Sequence, residues 1–297
     1  LDVPPKDPNQ DTPEKMFAAD PRGTMDRLLA ECYQGLATAG NKGAGESILG
    51  FGDAGAGTFT RTIFNLEELT TDHFSWLQFN DGGYYELVTM AFAPDNEVMY
   101  AAYSRIYGEI ALCNEFIRTI QQYRSYLSDG DQAAADDAIR QAKILRSLAY
   151  FYAISDFGSA GYVDETTEAG TAPVQYSRAD LYNKVVSTLE EVSAEYGDNY
   201  TAPAYGYVGK EAADALLARF YVNAGVFTGT PAYDKCWNIC QKIIAHHQGA
   251  GFDNSGLSDS YKALFGANNK EYAAQGSRVN EIIFTIPQDG INLQAYG

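Results

Sequence analysis

Aromatic and amide side chains are concentrated in one stretch of the chain, residues 69–85, which reads LTTDHFSWLQFNDGGYY. Its rings follow neither the alternation of a strand nor the 3.6-residue period of a helix, so no regular element would bury them on one face. Sugars present apolar C–H faces and rims of hydroxyl groups, and a site for them needs flat rings beside fixed amides or carboxylates. Gly82 and Gly83 allow the backbone to gather the rings on one surface.

We therefore predict a carbohydrate-binding loop, with Gln78 as a further polar contact, formed by Trp76, Phe79, Asn80, Asp81, Tyr84 and Tyr85. Trp76 and Asn80 supply its central ring and amide. Trp76 is expected to be an exposed platform that contributes little to stability. The alternative is that these rings plug the loop onto neighbouring helices.

Residues that could act as nucleophile, acid or base are not arranged for catalysis. The three histidines have no nucleophile motif around them, and neither G-x-S-x-G nor H-E-x-x-H occurs. Carboxylates occur in adjacent pairs, as at Glu67-Glu68 and Glu190-Glu191, but neighbours on a helix face different directions. The sequence therefore predicts no catalytic residues and a protein that is not an enzyme. A glycosidase, which would need two carboxyl groups across a sugar, stays as an alternative.

The four cysteines show neither the density of a disulfide scaffold nor paired metal-ligand spacing. Cys236 and Cys240 precede His246 and His247 without a standard zinc spacing, and both fit an apolar stripe with the neighbouring isoleucines. We predict small buried hydrophobic residues here, no metal ion and no cofactor.

Composition limits the partners. The 297 residues are 45% hydrophobic, which is enough chain for a large core, and 39 acidic against 21 basic residues give a net charge of −18. Such a surface repels phosphate backbones and anionic lipid headgroups, so we expect no nucleic-acid partner and no electrostatic docking on membranes. No apolar run approaches the roughly 20 residues that a transmembrane helix requires.

The elements that must position the loop are helices. The segment from Ala138 to Gly158 is apolar over most of its surface, which predicts a helix buried on several sides and ended by Gly158. Its one permanent charge late in the run, Arg146, must be paired, because an unpaired guanidinium in an apolar interior is very costly. An apolar seam predicts a long partner helix from Glu97 to about Leu127.

Helix signals recur in pairs further along the chain. Ser177 caps a predicted helix that Gly197 ends, and a second helix begins at Lys210 and is stopped by Gly225. The Thr230-Pro231 dipeptide is typical of a cap and first turn, and it opens a helix over residues 232–245. The predicted fold is mainly α, a tetratricopeptide-like helical-pair solenoid with long irregular loops and minor β, its pairs at about 97–157 and 177–247.

Motifs along the chain agree with one another. The central helix reads A-x-x-L-R-S-L-A-Y-F-Y-A-I-S-D-F-G over residues 142–158, and the aromatic loop carries T-D, W and D-G-G over residues 71–83. P-D-N follows at residues 94–96, and N-E-I-I-F stands at residues 280–284. In this order they resemble the SusD-like (SusD/RagB) family, surface glycan-binding lipoproteins of the outer membrane.

The resemblance implies non-catalytic binding of a polysaccharide or oligosaccharide at the cell surface. It also implies delivery of that nutrient to a SusC-like TonB-dependent transporter by a lipid-anchored protein on the extracellular face of the outer membrane. Phe79, Tyr85 and Phe92 stand where tryptophans are usual in the family, so the aromatic character of the region is kept.

Chain organisation is also read from the resemblance. It implies a single SusD-like domain over residues 1–297 that lacks the usual C-terminal part, with a strand at residues 280–286. The start at Leu1 resembles the mature start just after the lipidated cysteine, which is absent from this chain and which a processed or engineered protein would explain.

A second function class stays open beside glycan binding, namely a tetratricopeptide-like protein–protein interaction scaffold whose concave surface binds a peptide or a partner protein. Residues 74–85 discriminate between the two, because a peptide-binding solenoid uses its concave helix faces and does not need exposed rings in a loop.

Overall fold

The computed structural model describes residues 12–38, 57–78, 80, 82–168, 170–200, 204–249, 257, 260–266 and 281–288. Over these ranges the protein is mainly helical with one small antiparallel sheet, as predicted. The helices are α1 (Pro13–Ala19), α2 (Pro21–Ala37), α3 (Phe59–Glu68), α4 (Tyr84–Val88), α5 (Glu97–Tyr123), α6 (Gln132–Tyr152), α7 (Arg178–Tyr196), α8 (Lys210–Thr228), α9 (Tyr233–Gly249) and α10 (Tyr261–Leu264). The strands are β1 (Ala160–Tyr162) and β2 (Val174–Tyr176), paired with Ala160 opposite Tyr176.

Consecutive long helices pack in pairs, α5 on α6 and α7 on α8, and α9 then packs on α8. The seam predicted for α5 is buried, and it runs through Ile106, Ile110, Cys113, Ile117 and Ile120. These residues alternate steps of four and three, which keeps one face of the helix against its partner over several turns. None of the described helices is both long enough and apolar enough to cross a membrane.

α6 occupies the centre of the pairs and contacts α2, α5, α7 and α8. Its last turn widens into a π-helical turn, Ala153–Phe157, and Gly158 ends it in a left-handed conformation with φ of 76°. The prediction that the helix ends at Gly158 is confirmed. A side chain at this position would be strained by the positive φ and would also meet the guanidinium of Arg178 at 2.9 Å.

Arg146 is buried in α6 and is paired, as predicted. Its guanidinium donates to Asn114 Oδ1 on α5 and to a carboxylate oxygen of Glu165, in the segment after β1. Burial by itself raises the pKa of Glu165, but the charge and hydrogen bond of Arg146 outweigh burial and the pKa is lowered. One buried cation therefore holds two helices and the loop after β1 together.

Two predicted boundaries are wrong. α8 continues through Gly225 to Thr228 and ends at Gly229, where φ is 79°, because Ala224 and Phe227 are buried and outweigh the cost of about 1 kcal/mol of a glycine inside a helix. α9 begins at Tyr233 rather than Pro231, and the Ala232 carbonyl accepts its first hydrogen bond, from Cys236.

A strand was predicted at residues 280–286, of which the structure describes residues 281–286. Residues 282–288 make no strand pairing with any other described residue. The apolar side chains of this run, Ile283, Phe284 and Ile286, pack against the main core.

A buried acid lies between α2 and α5. Glu109 is 1% exposed, and one of its oxygens accepts a hydrogen bond from Cys113 Sγ at 3.3 Å. The other oxygen has no hydrogen-bond partner among the described residues and lies against Gly35 of α2. Burial raises the pKa of Glu109 from its ordinary value of 4.5 to about 8, with the Cys113 hydrogen bond acting in the opposite direction.

Replacing Arg146 with Leu is expected to lower the free energy of unfolding by about 3–5 kcal/mol, because Glu165 and Asn114 would stay buried without their partner. The matched control is Arg22→Leu, which removes an exposed ion pair with Asp26 and Asp131 and should cost less than about 1 kcal/mol. Urea denaturation measures both. The double variant Arg146→Leu/Glu165→Gln should recover part of the loss, and an Arg146→Leu protein as stable as Arg22→Leu would contradict the buried pairing.

Glu109 should make the protein less stable as the pH rises from about 4.5 to 8. In this window the folded chain keeps the proton on Glu109 while the unfolded chain releases it, so a rising pH stabilises the unfolded state relative to the folded one. Above pH 8 Glu109 is ionised in both states, and the loss of stability stops growing. Glu109→Gln keeps a neutral acceptor for Cys113. Urea denaturation measures the free energy of unfolding at pH 5 and at pH 8. Between these two pH values the parent should lose up to about 3 kcal/mol more of this free energy than the variant. Parallel pH dependences would contradict the prediction.

Candidate glycan-binding site

One asparagine fixes the aromatic loop to the long helix α5. Asn96, the last residue of the P-D-N motif, accepts hydrogen bonds from the backbone N–H groups of Val98 and Met99 and so caps α5. Its Nδ2 donates to the Gly83 carbonyl at 2.9 Å and to Glu86 Oε2 at 2.8 Å, both at the start of α4. A single buried amide therefore fixes the position of α4 relative to α5.

Glycine was predicted to be required at residues 82 and 83, and the structure requires it only at Gly83. Gly83 has φ of 81°, and a Cβ there would lie 3.1 Å from Val98 Cγ2 and 3.4 Å from the Asn96 amide. A larger residue would be strained by the positive φ and would push α4 away from α5. Gly82 has open space around the position of a Cβ, so close approach does not require it.

A small hydrophobic cluster, separate from the main core, lies under the loop. We call it the loop cluster, and its buried members are Leu69, Tyr84, Leu87 and Val98. Trp76 packs on its edge, with its ring stacked on that of Tyr84 at 4.5 Å between centroids and 16° between planes. The stacking holds an indole ring in a fixed orientation at a place where the backbone has no regular secondary structure.

The predicted site residues do not all reach the surface. Asn80, Gln78 and Tyr85 are exposed, the last at 44%, whereas Tyr84 is only 7% exposed and lies against Trp76. Tyr84 was predicted to contact the ligand, and its burial corrects that prediction. Its ring packs in the loop cluster and against Trp76, because burying an aromatic ring among apolar side chains lowers the free energy of the folded state. Phe79 and Asp81 lie outside the described residues.

Trp76 is half-buried, which corrects the expectation of an exposed platform. The alternative considered for the loop, that its rings plug it onto neighbouring helices, therefore holds for Tyr84 and in part for Trp76. Removing the indole should cost about 1 kcal/mol of stacking beside the lost burial. Any binding experiment on Trp76 must account for this loss of stability.

Residues of α3 that the sequence did not single out also border the loop. The guanidinium of Arg61 lies over the Trp76 ring at 6.0 Å from its centroid. One turn further along α3, Phe64 meets Phe74 edge to face at 5.0 Å, and both rings are more than one third exposed. Arg61 and Phe64 are three residues apart, which places them on one side of α3. In the sequence, this spacing alone could have indicated that both residues border the loop.

The arrangement combines surfaces that suit a sugar. The half-buried indole and the exposed rings of Tyr85 and Phe74 offer apolar faces, and Asn80, Gln78 and Arg61 offer donors and acceptors around the same loop. Within the described ranges, no group of three histidine, cysteine or acidic side chains is placed to hold a metal ion.

Comparison with known proteins agrees with the motifs. No protein-family model matches the sequence. The chain is 29% identical over 281 residues to the starch-binding protein SusD of Bacteroides thetaiotaomicron, an alignment that covers 93% of this chain and 47% of SusD. The chain therefore spans about half the length of the curated relative that it matches.

Solved structures share the fold at low sequence identity. A SusD-like protein from Bacteroides fragilis aligns with a TM-score of 0.62 at 15% identity, covering 91% of this chain and 45% of that one. A laminarin-binding SusD-like protein gives 0.62 at 18%, covering 84% and 49%. Surface glycan-binding protein A from Bacteroides thetaiotaomicron, solved with laminarihexaose, gives 0.59 at 17%, covering 82% and 46%. The resemblance predicted from the sequence is thus confirmed: the chain is similar to SusD over most of its length and has a SusD-like fold.

Proposed function

We propose that this chain binds an uncharged polysaccharide or oligosaccharide, without cleaving it, on the surface around Trp76. The observation that carries the proposal is the Trp76 ring, which is stacked on Tyr84, lies beneath the guanidinium of Arg61 and belongs to the same loop as the exposed amides of Gln78 and Asn80. A ring held in this way is ready to cover the C–H face of a sugar without first losing side-chain freedom. The net charge of −18 disfavours acidic polysaccharides.

The names of the similar proteins point to the class of glycan. SusD is named for starch, and two of the similar structures are named for laminarin or solved with laminarihexaose. Starch and laminarin are both polymers of glucose that differ in linkage. We infer that glucans are the first class to test, with Trp76 covering the sugar face, Asn80 and Gln78 binding hydroxyl groups, and Tyr85 extending the aromatic surface.

The two tryptophans of the chain allow a direct assay. Trp237 lies on α9 and is 66% exposed, so Trp237→Ala should leave the fold intact and make Trp76 the only indole reporter. Titration with maltohexaose or laminarihexaose should then change the fluorescence of Trp76, because stacking against a sugar removes water from the ring. In the Trp76→Ala protein, where Trp237 alone reports, the same titration should give no change. A Trp76 signal insensitive to every glucan would contradict the proposal.

Asn80→Ala separates binding from stability. Asn80 is exposed, so its removal should leave the free energy of unfolding within about 0.5 kcal/mol of the parent while weakening glucan binding roughly tenfold, the loss of one hydrogen bond. Trp76→Ala should reduce binding further and also lower stability. Calorimetric titration at a temperature where all variants are folded measures the affinities. Asn80→Ala binding as the parent does would remove Asn80 from the site.

We further propose that the intact protein is a single-domain lipoprotein on the outer face of the outer membrane, where it hands glycan to a SusC-like TonB-dependent transporter. This part is supported by the family resemblance alone. The full-length lipidated protein should co-purify with a TonB-dependent barrel from native membranes, whereas recovery of the protein alone from the periplasm would contradict the placement.

A further inference from the structure

A cavity beside α2 shares no described lining residue with the aromatic loop. It has a volume of about 270 Å³ and opens between α2, the turn at residues 204–207 and the extended segment at 286–287. On the α2 side it is lined by Ala30, Tyr33, Gln34 and Ala37. These positions are spaced i, i+3, i+4 and i+7, so they form one continuous face of the helix. The two alanines leave the space that larger side chains would fill.

The main aromatic wall of this cavity is held rigidly. The Tyr33 hydroxyl donates to Gln141 Oε1 on α6 at 2.7 Å and accepts from the Val208 N–H at 3.0 Å. Both of its directional bonds are made inside the protein, and burial raises the pKa of the hydroxyl. Its ring meets that of the exposed Tyr207 at 4.9 Å between centroids and 59° between planes, which creates a corner of two aromatic faces, of which that of Tyr33 is fixed. Such a wall needs no rearrangement to accept a ligand.

The opposite wall depends on close backbone contact. The turn closes through a hydrogen bond from the Tyr207 N–H to the Ala204 carbonyl at 3.1 Å. Gly206 has φ of 86°, and a Cβ there would lie only 2.7 Å from Pro287 Cγ, so the turn packs directly on the extended segment. The cavity is therefore bounded by three segments that fix one another.

The lining of the cavity defines the chemistry of an occupant. It contains rings, aliphatic groups and the Gln34 amide, and none of the lining residues that the structure describes is charged. The Gln34 side chain is exposed and makes no hydrogen bond to another described residue. A neutral ligand with an apolar face and hydroxyl groups matches this set, whereas an anion would find no cation to pair with. The volume lies just below the usual range for ligand pockets, which begins at about 300 Å³, so the cavity suits one sugar ring rather than a chain.

We propose that this cavity is a second binding site, which takes a single uncharged pyranose ring. The sugar stacks in the corner of Tyr33 and Tyr207, and a hydroxyl group pairs with the Gln34 amide. This site goes beyond the glycan surface proposed around Trp76, and none of its described lining residues lies within residues 69–85. The two sites can therefore be tested separately.

The test uses saturation-transfer NMR with the methyl glycosides of glucose, galactose and mannose, on protein carrying Trp76→Ala so that the first site is removed. At least one glycoside is expected to receive saturation on its ring C–H protons. Adding Ala30→Leu, which fills the cavity from an exposed position, should weaken that binding at least tenfold, and Tyr207→Ala should do the same by removing the aromatic corner. The matched control Glu31→Gln, on α2 outside the lining, should change nothing.

The methyl glycoside of glucuronic acid tests the neutral character of the site, since it adds a carboxylate to the same ring and is expected not to bind. Absence of transfer to all three neutral glycosides, equal binding in the Ala30→Leu protein, or equal binding of the glucuronide would each overturn the proposal. Failure of the glycan surface is seen independently, as the absence of a Trp76 fluorescence change in the Trp237→Ala protein.

Discussion

The burial of one guanidinium constrains the centre of this fold. Arg146 sits in α6 among apolar residues, where an uncompensated charge would be prohibitive, so Asn114 of α5 and Glu165 must both converge on it. The Val163 carbonyl accepts hydrogen bonds from Asn114 Nδ2 and from the Tyr150 hydroxyl, which in turn accepts from the Val163 N–H at 2.9 Å. The α5–α6 pair and the segment after β1 are thus joined by polar contacts that apolar packing alone would not specify.

A fixed α5 gives the candidate site its foundation. Asn96 at the N-terminus of α5 uses its oxygen for the helix and its nitrogen for α4, so the loop cluster is attached to the most deeply packed pair of helices. Tyr84 then supports Trp76, and Trp76 positions a loop that has no hydrogen-bonded regularity of its own. The Trp76 ring at the candidate site is thus held by successive contacts that begin at α5, and these contacts allow an irregular loop to present a ring in a fixed orientation.

Features that repeat along the chain could be predicted, and features created by contact between distant segments could not. The α5 seam, the Ser177 cap and the end of α6 at Gly158 follow from local periodicity and dihedral preference, and the pairing of Arg146 follows from the cost of a buried charge. Asp20-Pro21 at the start of α2 was an available cap signal of the same kind.

The misses arise from tertiary packing. Gly225 has the local signature of a helix end, yet burial of Phe227 beyond it extends α8. Tyr84 and Tyr85 are adjacent and chemically identical, and only the position of the loop cluster decides that one is buried and the other exposed.

The tyrosines show why composition could not locate the site. The chain has 22 of them, and several use their hydroxyl groups for hydrogen bonds inside the protein. The Tyr33 hydroxyl bonds to Val208 and Gln141. The hydroxyls of Tyr107 and Tyr150 donate to the carbonyls of Gly161 and Val163. Burial raises the pKa of each of these three hydroxyls, so they stay neutral donors over the physiological range. A tyrosine whose hydroxyl is already bonded inside the protein still offers the face of its ring, and Tyr33 does so at the cavity beside α2. Internal hydrogen bonds fix the Tyr33 ring and stacking on Tyr84 orients the Trp76 ring, so each candidate site contains an aromatic ring whose orientation is set by contacts inside the protein.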